Sequence, residues 1–129
     1  FIIFGFLELG RHHMSTEKLI QKIKNQPDAV SFNEVIECIT SNYSYTPVRF
    51  RNRIAADQVI NEAGSNEGSC KIFAFAKLNG LDEQQTLACF GDYYRKDVLD
   101  NPNGDDQANI GTVMRHGWDC ILFEQDALK

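Results

Sequence analysis

The two residues best suited to covalent chemistry in this sequence are Cys70 and His116. A histidine beside a cysteine can accept the thiol proton and leave a thiolate, which is the reactive nucleophile. Cys70 lies in an apolar stretch, however, where a thiol tends to stay protonated and inert. His116 lies near the end of a short predicted helix, a position that suits the helix dipole without catalysis. Because no spacing brings the two together, the sequence favours a buried structural thiol.

A second group of ionisable residues follows helical spacing. Asp92, Arg95 and Lys96 stand at positions i, i+3 and i+4, so they share one face of a helix. Ion pairs at these spacings stabilise a helix by about 0.2–0.5 kcal/mol each, which explains the group without a ligand. As a binding site, this face would need a facing partner that the sequence does not identify.

Three arginines alternate along a predicted strand. Arg49, Arg51 and Arg53 would point to the same side of that strand. A small anionic ligand or an acidic partner could use such a face. A solvated strand face is the favoured interpretation, because charged side chains are mostly exposed to water.

Neither metal nor phosphate binding is supported by a diagnostic spacing. The acidic residues and His116 do not occur in the short-range arrangements typical of zinc or calcium sites. The loop Gly64–Gly68 lacks both the G-x-G-x-x-G pattern and the Lys-Ser/Thr of a P-loop. We therefore predict no bound metal and no cofactor.

Composition limits the class of protein. The chain has 129 residues, of which 43% are apolar, and this predicts one globular domain. A net charge of −5 argues against a nucleic-acid partner. The cysteines (Cys38, Cys70, Cys89 and Cys120) contain no C-x-x-C pair and each has apolar neighbours, so we predict reduced thiols in a cytoplasmic environment.

Residues 1–13, FIIFGFLELGRHH, differ from the rest of the chain. The apolar run is too short to span a bilayer and has no basic leading region, so no membrane association is predicted. We interpret it as a vector-derived or upstream segment, and residues 14–129 as a single domain. A native strand or helix that pairs with the domain is the alternative.

The helices are indicated by their ends. Ser31 with Glu34, and Asp82 with Gln85, form capping-box patterns. The second box predicts a helix that continues past Gly91 to the turn at residues 101–104, with Leu87, Phe90, Tyr94 and Val98 on one face.

The central element is predicted between these two boxes. Residues 70–78 are apolar except for Lys71 and Lys77, which fits a buried strand or a buried helix. The stop at Gly80 and the scarcity of β-branched residues favour the helix, with Asn66 or Ser69 as its N-terminal cap.

Short strands are predicted at residues 48–52, 58–60 and 120–123. Joining all three in one sheet is the most economical arrangement. The predicted fold is therefore α+β: a mostly helical domain of about five helices, with a small antiparallel sheet of two or three strands.

Three strings of the sequence resemble the HopJ type III effector family. They are NEAGSNEGSCKIFAFAKLNGL at residues 61–81, TLACFGDYYRKDVL at residues 86–99 and MRHGW at residues 114–118. The resemblance runs from about Leu19 to Leu128. It implies a bacterial protein that is made in the cytoplasm and exported to a host cell by a type III apparatus. The resemblance brings no activity and no catalytic residues with it.

The sequence leaves three functions open. The first is an effector-like protein that binds a host protein. The second is a cytosolic small-molecule-binding protein or enzyme, with a pocket between the Gly64–Ser69 loop, the Asp92–Arg95 face and the His116–Trp118 corner. The third is a domain whose role is oligomeric interaction. The candidate ligand-binding residues are Arg49, Asn61, Asn66, Glu67, Ser69, Asp92, Arg95, His116 and Trp118.

Overall fold

A computed structural model of the chain describes residues 15–52, 59–98, 109–110, 113–114 and 121–129. The helical elements are α1 (Thr16–Asn25), a 3-10 turn (Pro27–Ala29), α2 (Phe32–Asn42), α3 (Glu67–Leu78), α4 (Glu83–Ala88) and a π-helical segment (Tyr93–Val98). The strands are β1 (Phe50–Asn52), β2 (Val59–Asn61) and β3 (Ile121–Phe123). Residues 109–110 and 113–114 are also helical. The prediction of a mostly helical α+β domain with a small sheet is confirmed.

Helix α3 is the central element, as the apolar stretch predicted. Cys70 and residues 72–76 are buried, so nearly every side of the helix contacts other elements. The ring of Phe73 lies 6.1 Å from that of Phe50 in β1 and 5.3 Å from that of Phe90 after α4, measured between ring centroids. The core therefore joins the sheet to the helices through α3.

Both predicted capping boxes are present. At α2, the Glu34 backbone N–H donates to Ser31 Oγ at 3.2 Å, and the Ser31 N–H donates to Glu34 Oε2 at 2.8 Å. At α4, the corresponding bonds between Gln85 and Asp82 measure 2.8 and 2.9 Å. These bonds satisfy N–H groups that have no partner inside the helix.

The prediction of one continuous helix from Asp82 to residue 100 is wrong. Helix α4 ends at Ala88, and Gly91 then adopts a left-handed conformation with φ of +59°. A Cβ atom at Gly91 would lie 2.7 Å from the backbone nitrogen of Phe32. The chain thus breaks where the start of α2 passes against it. The absence of a side chain at Gly91 permits this close contact between backbones.

The sheet joins the three predicted strands in the order β2–β1–β3, with both pairings antiparallel. Phe50 faces Asn61 on one side and Phe123 on the other. The alternate row, Arg51 between Ile60 and Leu122, lies on the outer face. Residues 53–58, which include Arg53 and the segment between the first two predicted strands, lie outside the described residues.

Candidate functional site

A network of asparagine side chains lies beneath the sheet. Asn61 is only 1% exposed and Asn109 only 5% exposed. Each amide donates to the oxygen of the other: Asn61 Nδ2 to Asn109 Oδ1 at 3.0 Å, and Asn109 Nδ2 to Asn61 Oδ1 at 2.9 Å. Asn61 Oδ1 also accepts from Asn66 Nδ2 at 2.6 Å. Because a buried amide without partners is costly, this network is a structural requirement of the fold.

Asn66 occupies the N-cap position of α3, as predicted, but its side chain does not cap the helix. Its backbone is left-handed, with φ of 48° and ψ of 49°, whereas a capping side chain needs an extended backbone. Asparagine tolerates this conformation better than most residues. The prediction that Asn66 or Ser69 caps α3 through its side chain is therefore wrong, since the Asn66 amide is directed to Asn61 instead.

Arg49 is paired with carboxylates from both sides of the sheet. Its Nη1 donates to Glu124 Oε2 at 2.8 Å, and its Nε lies 3.4 Å from Glu62 Oε2. The Nε contact brings the charges together but is misaligned for a hydrogen bond. Two acidic neighbours offset the charge of this guanidinium, so the geometry favours the structural interpretation of the arginine face over an anion site. Arg51 lies beside it in β1.

Glu67 and Cys70 meet Tyr45 at the start of α3. The Tyr45 hydroxyl donates to Glu67 Oε2 at 3.1 Å, and Lys71 Nζ lies 4.7 Å from the centre of the Tyr45 ring. Burial, together with nearby Cys70 and Glu67, raises the pKa of the Tyr45 hydroxyl well above its ordinary value. The phenol therefore acts as a hydrogen-bond donor at neutral pH.

The Cys70 thiol is buried and unsuited to nucleophilic chemistry. Burial raises its pKa, and Sγ faces the carbonyl oxygen of Val48 at 4.0 Å. Cys38 and Cys89 are likewise buried with free thiols. The buried Cys70 thiol agrees with the interpretation that the sequence favoured, and His116, Trp118 and Cys120 lie outside the described residues.

Arg95 ties the π-helical segment to the loop between α1 and α2. Its Nη2 donates to the Val30 carbonyl at 2.7 Å, and its Nη1 to the Pro27 carbonyl at 3.2 Å. Asp92 lies 3.6 Å from Arg95 Nη2 and 3.7 Å from Lys96 Nζ, so the ion pairs predicted along this face are present. The Arg95 side chain is 24% exposed, and the two carbonyls fix the orientation of its guanidinium.

Arg95 lines two clefts. The Tyr93 cleft has a volume of about 260 Å³ and is lined by Ser31, Phe32, Asn33, Asp92, Tyr93 and Arg95. The Tyr94 cleft has a volume of about 250 Å³ and is lined by Ile23, Lys24, Pro27, Asp28, Asp82, Gln84, Gln85, Ala88, Tyr94 and Arg95. Arg95 is the residue that both clefts share.

The predicted site residues form two groups. Arg49, Asn61, Asn66 and Glu67 belong to one region, because Glu62 joins Arg49 to the Asn61 segment and Asn66 bonds Asn61. Asp92 and Arg95 form the other group. Phe32 lies between the groups: a Cβ on Gly68 would meet its ring at 2.8 Å, and the Tyr93 ring packs edge-on against it at 5.0 Å. Ser69 is half-buried on α3.

Sequence reasoning missed three contributors to these surfaces. Asn109 completes the amide pair, Phe32 separates the two groups, and Tyr94 gives one cleft its aromatic wall. A single asparagine among apolar neighbours, as in Val59-Ile60-Asn61 and Asn109-Ile110, was the available signal for the pair. That signal marks a buried polar group without identifying its partner.

The described part of the chain contains no helix both long and apolar enough to cross a bilayer. Among the described side chains, no three or more His, Cys, Asp or Glu are grouped to hold a metal ion.

Comparison with known proteins gives one family and one structural neighbour. The sequence model of the family described as HopJ type III effector protein matches residues 16–128. The chain is also similar to VPA0580, a protein of unknown function with a crystal structure: the TM-score is 0.85 and the sequences are 41% identical. That match covers 91% of this chain and 94% of the other chain. No curated protein matches the chain.

Proposed function

Because this chain belongs to the HopJ type III effector protein family, we propose that it is an effector that binds a partner protein inside a host cell. It is made in the bacterial cytoplasm and exported through a type III apparatus. The observation that carries this proposal is the family match across residues 16–128. The structural neighbour VPA0580 is described as a protein of unknown function, so it contributes the fold and no activity.

The contacts and the burial of the polar side chains support a binding function rather than covalent chemistry. Arg49 is paired with two carboxylates, and the Asn61 amide is hydrogen-bonded to other amides. The Cys70 thiol is buried and its pKa is raised by that burial. Groups held in such contacts would have to break them before acting on a substrate, and this costs free energy.

The surface around Tyr93 is the best candidate for the partner. Tyr93 is 42% exposed, and the edge-on contact with Phe32 at 5.0 Å, with an interplanar angle of 88°, holds its ring. A tyrosine held in place loses little conformational entropy on binding, and tyrosine and arginine are enriched among residues that dominate interfaces. Asp92 and Arg95 supply a charged rim around the Tyr93 cleft.

Delivery by a type III apparatus is the first test of this function. The full chain would carry a C-terminal reporter enzyme that is active only inside host cells, and bacteria with and without a working apparatus would be compared. A flexible linker should follow Lys129, because its backbone exchanges hydrogen bonds of 2.8 and 3.0 Å with Ser44. We expect reporter signal only with the working apparatus. Equal signals from both strains, or none from a stably expressed fusion, would contradict the proposal.

A small-molecule-binding protein or enzyme is the second candidate. The Tyr94 cleft favours this second function, because a volume of about 250 Å³ lined by charged and apolar side chains suits a small ligand. The pocket predicted between the Gly64–Ser69 loop, the Asp92–Arg95 face and the His116–Trp118 corner shares Arg95 with this cleft, while His116 and Trp118 lie outside the described residues. Ligand-dependent stabilisation of the purified chain would support this second function.

A further inference from the structure

We propose that the Tyr94 cleft binds a small zwitterion carrying an aromatic ring, the chemistry of a free aromatic amino acid. The cleft lies where the end of α1, the 3-10 turn, the start of α4 and the π-helical segment meet. It shares only Arg95 with the Tyr93 cleft, so this proposal does not depend on delivery or on a partner protein.

The inner lining of the cleft suits a ring. Ile23 and Ala88 are buried, and with Pro27 and the half-buried Tyr94 they make an apolar lining. Aromatic rings favour offset or edge-on contact with another ring such as Tyr94. A ligand without an apolar group would leave this lining in contact with water, and a ring adds the aromatic contact with Tyr94.

The rim of the cleft carries both signs of charge. Lys24 and Arg95 are the cations, and Asp28 and Asp82 are the anions. Arg95 is held by the Pro27 and Val30 carbonyls, so its charge is already oriented before a ligand binds. An α-carboxylate would be attracted to the cations and an α-ammonium to the carboxylates. A ligand with a single charge would interact with only one of these two pairs.

The volume agrees with a ring and a short charged head group. An apolar cavity of about 150 Å³ can hold benzene. The Tyr94 cleft, at about 250 Å³, leaves roughly 100 Å³ beyond the ring. A ligand much larger than an amino acid would extend out of the cleft into solvent.

Isothermal titration calorimetry with three matched ligands tests the chemistry. L-phenylalanine carries the ring and both charges, phenethylamine lacks the carboxylate, and 3-phenylpropanoate lacks the ammonium. We expect L-phenylalanine to bind the full chain about tenfold more tightly than either single-charge analogue. No binding of L-phenylalanine at millimolar concentration, or equal affinity for all three ligands, would overturn the proposal.

Substitutions at two exposed positions of the cleft test whether the ligand binds there. Lys24→Gln should weaken L-phenylalanine and 3-phenylpropanoate several-fold but leave phenethylamine unchanged. Asp28→Asn should weaken L-phenylalanine and phenethylamine but leave 3-phenylpropanoate unchanged. Lys18→Gln and Glu37→Gln remove one charge of each sign from exposed positions outside the cleft, and serve as controls. Equal effects from cleft and control variants, or no effect from either cleft variant, would overturn the assignment.

Discussion

Asn61 and Asn109, 48 residues apart in the sequence, bind each other through two reciprocal amide hydrogen bonds of 3.0 and 2.9 Å. The pair joins strand β2 to the helical residues 109–110. Asn66, at the start of α3, also donates a hydrogen bond to Asn61 Oδ1. One buried amide thus connects three segments that are distant along the chain. Its removal would leave several buried polar groups without this partner.

We expect Asn61→Ala to lower the free energy of unfolding by about 2–4 kcal/mol, because Asn109 and Asn66 lose their bonds to it. Urea denaturation of Asn61→Ala, Asn109→Ala and the double variant measures the coupling. The double variant should be about 1–2 kcal/mol more stable than the sum of the single effects predicts. Strict additivity would contradict the paired arrangement.

Comparing substitutions at Gly91 and Gly80 tests the backbone contact between Gly91 and the start of α2. Both have positive φ, +59° and +64°, but only a Cβ at Gly91 would meet a backbone atom, Phe32 N, at 2.7 Å. Gly80→Ala should cost about 1 kcal/mol, from conformation alone. Gly91→Ala should cost a further 1–3 kcal/mol or so, because the start of α2 must move. Equal losses of unfolding free energy for the two variants would show that this contact is absent.

Glu34 should make stability depend on pH. Burial opposes its charge, but the Lys22 ammonium at 2.8 Å and the Ser31 N–H more than compensate, so its pKa falls below the ordinary 4.5. A lowered pKa stabilises the fold above 4.5, and this contribution is lost as pH falls through the folded-state value. Glu34→Gln, which keeps a capping side chain, should cost about 1 kcal/mol at pH 7 and less at pH 2.

Thermal unfolding of Glu34→Gln at both pH values measures this effect. Glu37→Gln is the control, because Glu37 is exposed on the same helix. A destabilisation of Glu34→Gln that is equal at pH 7 and pH 2 would exclude the ionic contribution.

The buried thiols should resist modification. Burial raises the pKa of Cys70, and burial together with nearby Cys38 raises the pKa of Cys89 to about 12. In a Cys120→Ser background, Ellman's reagent at pH 8 should react with Cys38, Cys70 and Cys89 only as fast as the protein unfolds. In guanidinium chloride, all three should react within seconds. If Cys70 in the native protein reacted as fast as it does in the denatured protein, the result would support a nucleophilic role for this thiol.

The helix starts could be predicted because their signals are local. Ser31–Glu34 and Asp82–Gln85 each bond within three residues, so sequence spacing alone indicates the cap. The helical state of α3 followed from its composition and from Gly80, whose positive φ ends it. The alternation of residue types along the chain predicted the short strands, and joining all three in one sheet was the most economical arrangement.

The break at Gly91 could not be predicted in the same way. The residues around it have a helical period, and the contact that ends the helix comes from the backbone of Phe32. The Asn61–Asn109 pair depends likewise on two segments that meet only in the folded chain. Arg95 was identified as a surface ion pair, but its bonds to the Pro27 and Val30 carbonyls were not foreseen. Candidate site residues were thus recognised by type, while their partners required the fold.

Photocrosslinking at Tyr93 tests most directly whether the protein acts by binding a partner at this surface. p-Benzoylphenylalanine would replace Tyr93, or Leu78 as a control that is 57% exposed at the other end of α3 from Gly68. The purified full chain would be irradiated in an extract of the host cells used for the delivery assay. If the protein binds a partner at this surface, we expect a discrete adduct with one host protein from position 93 and none from position 78. No adduct, or the same adducts from both positions, would contradict binding at this surface.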